Sequence, residues 1–101
     1  MTAAVYRFSF TEDATLDEAE MTLQLSIFAV EGLFGAARVR LEFSYFRDEL
    51  NRLILVDGTN EVGSTIVRIF ASLLLRELGE NAFRVRAVQA NGAPQTEARA
   101  A

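Results

Sequence analysis

Hydrophobic and polar positions alternate along VYRFSF, from Val5 to Phe10, with Tyr6, Phe8 and Phe10 on one side and Val5, Arg7 and Ser9 on the other. A period of two predicts a strand with one covered face. The period then lengthens. Leu16, Ala19, Leu23, Ile27 and Val30 recur at spacings of three and four, which predicts a helix with that stripe toward the core. Thr15 and Glu18 have the spacing of a reciprocal amino-terminal cap, Asp17 adds a first-turn carboxylate that the helix dipole favours, and Gly32 is the expected stop after Glu31. AARVRLEFSYF, residues 36–46, alternates again: Ala37, Val39, Leu41, Phe43 and Tyr45 stand against Arg38, Arg40, Glu42, Ser44 and Phe46. This predicts a second strand. After the polar connection RDELN, the run RLILV from Arg52 to Val56 is apolar on both parities, as in a strand with both faces at least partly covered. A second helix is expected to reach about Leu78 and stop at Gly79. The last alternating strand, FRVRAVQ, sets Phe83, Val85 and Ala87 against Arg84, Arg86 and Val88.

Strand, helix, strand, strand, helix, strand is the order of two split β-α-β units. It predicts a ferredoxin-like α+β sandwich, a βαββαβ fold whose antiparallel four-stranded sheet has order 4-1-3-2 and carries both helices on one face. Residues 1–90 form the single α+β domain, and residues 91–101, which carry no pattern, are expected to be a flexible carboxyl-terminal tail. Such an architecture hosts many activities, so function must come from sites.

Composition changes the picture mainly by subtraction. The 101-residue chain has room for one core. Half of its residues are hydrophobic and its formal net charge is -4, which disfavours general nucleic-acid binding. It contains no Cys and no His, and all ten basic residues are Arg. An enzyme would therefore lack the usual general base, thiolate and amine, and would have to rely on carboxylates, hydroxyls or guanidinium groups. No cofactor is expected. No basic segment leads into an apolar run and no long apolar stretch occurs, so a cytoplasmic protein without a membrane segment is expected.

The stretch DGTNEVGST, Asp57 to Thr65, has glycines at the spacing of a phosphate-binding loop, followed by Ser64 and Thr65. Ser64 stands where the loop needs a lysine, and an antiparallel sheet is the wrong setting. The simpler reading is a turn at Asp57 and Gly58 and a helix cap at Thr59 or Asn60, with Glu61 complementing the dipole. A weak candidate for an anion at an open helix start remains, lined by Thr59, Asn60, Ser64 and Thr65. The acidic pairs Asp57 with Glu61 and Asp48 with Glu49 have no diagnostic spacing. No catalytic residue and no metal ligand is assigned.

The surfaces say more. With aromatic parities facing the helices, the opposite parity gathers Arg7, Arg38, Arg40, Arg84 and Arg86 on the open sheet face as a candidate site for an anion or an acidic protein partner. An RNA-recognition domain would need stacking aromatics there, and neither VYRFSF nor FRVRAVQ supplies them. On the first helix, Met21, Leu25 and Phe28 form a second apolar stripe, nearly opposite the first. The expected function is a non-catalytic, homo-oligomerising protein-protein interaction module, dimeric through Met21, Leu25 and Phe28. The alternative is a small anionic-ligand sensor or carrier using the arginine face or the start of the second helix.

Overall fold

The computed structural model describes residues 4–12 and 14–88. Chain order is β1 (Ala4–Phe10), α1 (Leu16–Phe34), α2 (Ala36–Glu42), β2 (Tyr45–Asp48), β3 (Leu53–Gly58), α3 (Glu61–Leu78) and β4 (Phe83–Val88). The four strands form one antiparallel sheet in the order β2-β3-β1-β4, which read from the other edge is β4-β1-β3-β2. The protein is therefore of the α+β class. The tail expected at residues 91–101 lies outside the described residues. Among the described residues no helix is long and apolar enough to cross a membrane.

The core lies between one sheet face and the helices. Phe8 and Phe10 of β1, Ile54 and Val56 of β3 and Phe83 of β4 are buried, and meet Leu16, Ala19, Leu23 and Val30 of α1 and Val62, Ile66, Phe70 and Leu74 of α3. Phe8 is central, with its ring centroid 4.6 Å from that of Phe70. The α1 stripe is the one the spacing predicts, with Ile27 half-buried at its margin. Thr15 caps α1 by accepting from the Glu18 amide at 3.1 Å. Thr22, buried on the same helix, donates to Glu77 of α3 at 2.6 Å and so ties the two long helices.

Two boundaries differ from expectation, and together they rewrite the middle of the chain. The first helix runs through Gly32 and ends at Gly35, whose φ of 91° is a conformation glycine adopts without a steric penalty. Residues 36–42 are then a helix, α2, and not the first part of a long strand. Ala, Arg and Leu are good helix formers, and Arg38 and Glu42 lie at the i, i+4 spacing that lets them pair at 3.1 Å. The alternation that suggested a strand is only partly used. Val39 is buried, whereas Leu41 is 85% exposed. Only Tyr45–Asp48 joins the sheet, pairing with β3 from Tyr45 opposite Val56 to Asp48 opposite Leu53.

Candidate functional site

The face of the sheet turned away from the helices carries the parity opposite to Phe8. Its rows follow from the register. Phe46, Leu55, Arg7 and Arg86 are neighbours across all four strands, and Asp48, Leu53, Ser9 and Arg84 form the next row. Arg7, Arg84 and Arg86 are thus brought together at the β1 and β4 side, around an open cleft of about 440 Å³ lined by Arg7, Ser9, Arg84, Val85 and Arg86. None of these three guanidinium groups has an ion pair or hydrogen bond among the described residues. The two carboxylates on the same face are engaged elsewhere: Asp48 accepts from the Asn51 side chain at 2.7 Å, and Asp57 accepts from the Thr59 amide and hydroxyl. The Asn51 side chain, followed by its backbone amide, holds Asp48 below the usual carboxylate range.

Arg38 and Arg40 are not part of this face. Both belong to α2, because the segment that was to carry them as a strand is helical. Arg38 pairs with Glu42 at 3.1 Å and Glu61 at 3.3 Å, and its guanidinium lies 4.8 Å from the centre of the Phe34 ring. Its pKa is raised, chiefly by the bond to Glu42. It serves as a clasp between α1, α2 and the start of α3. Arg40 is exposed on α2.

The loop before α3 is also spoken for. Asn60 caps the helix, its Oδ1 accepting from the Gly63 amide at 2.8 Å while its Nδ2 donates to the Glu42 carbonyl at 2.7 Å. One side chain thereby closes the end of α2 and the beginning of α3. Ser64 and Thr65 donate their hydroxyls to the Glu61 carbonyl at 3.2 and 2.8 Å, and Thr59 is held by Asp57. The glycines have packing roles. A Cβ at Gly63 would overlap the Asp57 carbonyl oxygen, and one at Gly58 would come within 2.9 Å of both the Ala4 carbonyl oxygen and the Tyr6 ring. Thr59, Asn60, Ser64 and Thr65 spend their polar groups on the chain itself.

A polar network that sequence spacing did not reveal joins α1 to β2. Tyr45 donates to Glu20 at 2.7 Å and accepts from Gln24 at 2.8 Å. Arg47 bonds Glu20 at 2.7 Å and Asp17 at 2.9 Å, with Glu49 at 3.7 Å. The Tyr45 hydroxyl, then Arg47, hold Glu20 below the ordinary glutamate range. Burial, reinforced by Glu20, pushes the Tyr45 phenol up. Nothing in the linear pattern marks this set, since its half on α1 and its half on and just after β2 are more than twenty positions apart and meet only through the β2 register. Among the described residues, no group of three or more carboxylates is placed to hold a metal ion.

The third surface is the outer side of α1. Met21, Leu25 and Phe28 are 68%, 58% and 73% exposed, on a helix whose other side buries Ala19, Leu23 and Val30. Gly32 continues the row at the same spacing, and nothing lies within 4 Å of where its Cβ would be. In comparisons with protein families, curated proteins and solved structures, no family model, protein or structure matches this chain.

Proposed function

We propose that the chain is a non-catalytic, homo-oligomerising interaction module that dimerises through the outer side of α1, on a ferredoxin-like βαββαβ frame elaborated by α2. The element order and the neighbour relations of the strands support the frame. The absence of His, Cys and Lys, with the Thr59, Ser64 and Thr65 hydroxyls and the Asp57 carboxylate engaged by the chain itself, supports a role other than catalysis.

The observation that carries the proposal is the exposure of Met21, Leu25 and Phe28 in one row. Positions 21, 25, 28 and 32 are spaced four, three and four apart, the narrow seam with which one helix packs on another. Gly32 lets a facing backbone come close at one end. A two-fold axis across the row would oppose the same patch on both copies, an isologous contact. Covering side chains already about a third buried contributes about 1–2 kcal/mol each, scaled from full burial. Across two copies this offsets an association cost of roughly 4–15 kcal/mol. A monomer-dimer equilibrium that responds to concentration is expected.

Light scattering and sedimentation velocity across a concentration series test it. The wild type should rise toward dimer mass, and Met21→Gln, Leu25→Glu and Phe28→Gln together should give a folded monomer. A wild type of monomer mass at every concentration, or a triple variant of unchanged mass, overturns it.

A further inference from the structure

We infer that the β1 and β4 side of the open sheet face is a binding site for a compact, multiply charged oxyanion, a phosphate ester or a polycarboxylate, held by Arg7, Arg84 and Arg86 with Ser9. The inference is independent of α1, which lies over the opposite face of the sheet.

The register places Arg7 directly opposite Arg86. Facing residues on antiparallel strands have Cβ atoms about 4.5–5.5 Å apart, and like charges in that relation destabilise the pair. Arg84 is two residues along β4 from Arg86, about 6.8 Å away on the same face. Three cationic heads therefore share a space that one small ligand could span. Arg38 and Arg47 each meet two or more carboxylates, whereas Arg40, Arg52, Arg68 and Arg76 have no ion pair among the described residues; what sets Arg7, Arg84 and Arg86 apart is that they are unpaired and clustered. Arg7, Arg84 and Arg86 meet none among the described residues, although the net charge is -4 and Asp48 and Asp57 lie on the same face. A cluster of three cations with no counter-ion among the described residues, in a protein of net charge -4, is one that an added anion would match.

The chemistry narrows the class. Guanidinium forks fit carboxylate and phosphate oxygens bidentately, and Ser9 can add a neutral hydrogen bond from the cleft wall. Three cations suit a ligand carrying more than one negative charge. Extended nucleic acid fits less well. Among the described residues the aromatic ring on this face, Phe46, lies on β2, across β3 and β1 from the Arg84 and Arg86 strand, so they offer bases no platform beside the cations. Val5, Leu55 and Val88 are half-buried beside the arginines and give the site an apolar border.

Pyrophosphate, citrate and inorganic phosphate, each against sodium chloride at matched ionic strength, are the probes for calorimetry and thermal denaturation. Saturable binding of pyrophosphate or citrate is expected, with amide shifts at Arg7, Ser9 and residues 84–86. Arg7→Gln, Arg84→Gln and Arg86→Gln should each weaken it about tenfold, the loss of one charge-assisted hydrogen bond. Arg40→Gln on α2 should leave it unchanged. Arg86→Gln gives a readout that loss of structure would not: without ligand at low salt it should melt higher than wild type, while its ligand-induced shift becomes smaller. Lysine variants serve where a glutamine variant does not fold. They should retain part of the binding, because charge remains while the fork is lost. No saturable binding by wild type overturns the proposal. So does equal loss in Arg40→Gln, or preference for a single-stranded oligonucleotide over both small probes.

Discussion

Arg7 and Arg86 face each other across neighbouring antiparallel strands, with no carboxylate from the described residues between them. Such a pair stores repulsion that salt should relieve. Raising sodium chloride should therefore increase the melting temperature of wild type more than that of Arg86→Gln, and the two should converge at high ionic strength. Parallel salt series by circular dichroism check this, and diverging curves would mean the pair does not repel.

The network around Glu20 makes acid stability predictable in sign. Glu20 is held below its ordinary value of about 4.5, first by Tyr45 and then by Arg47. Folding therefore favours its carboxylate, so the contribution is complete above about pH 4.5 and is lost as pH falls through the lowered folded value. Tyr45→Phe removes the largest cause and should cost about 1 kcal/mol at neutral pH. The gap in melting temperature between variant and wild type should shrink as pH falls below that range. A gap independent of pH would assign Tyr45 to packing alone.

Two glycines should respond in opposite directions to the same substitution. Gly63→Ala drives a methyl group into the Asp57 carbonyl and should cost about 2–4 kcal/mol or prevent folding. Gly32→Ala lies within α1 with open space around it and should stabilise the monomer by about 0.5–1 kcal/mol. Urea denaturation of both separates a packing glycine from a dispensable one.

Phe70→Ala should be among the most damaging single changes, about 3–5 kcal/mol, because Phe70 is fully buried against Phe8 at the centre of the core. Phe46→Ala, on the open face at 59% exposure, should change stability little. Comparable losses would mean that the open face is covered.

Much of this architecture is legible in the linear pattern because burial follows periodicity where one face of an element is covered. Phe8, Phe10, Leu23 and Val30 all lie where the period puts them, whereas RLILV, apolar on both parities, left open that Ile54 and Val56 would be the buried pair. The failure at residues 36–42 has a physical cause: apolar residues at every second position constrain a segment only if both its faces have neighbours to choose between. Here Val39 alone reaches the core, so helix propensity and the Arg38 ion pairs decide. That single change of state removes Arg38 and Arg40 from the sheet while leaving Arg7, Arg84 and Arg86, whose parity is set by buried Phe8 and Phe83. The exposed row on α1 was visible as a second stripe. The Tyr45 network was not, since it depends on which residue of a four-residue strand comes to rest beside Glu20.

Folding residues 36–42 as helix also trims one flank of the sheet to four residues, while the opposite flank is a six-residue strand bearing Arg84 and Arg86. A further chain trying to extend the ribbon sideways would find a short template at β2 and electrostatic resistance at β4. Both margins, as far as the described residues form them, are therefore poor templates for edge-to-edge addition of another chain.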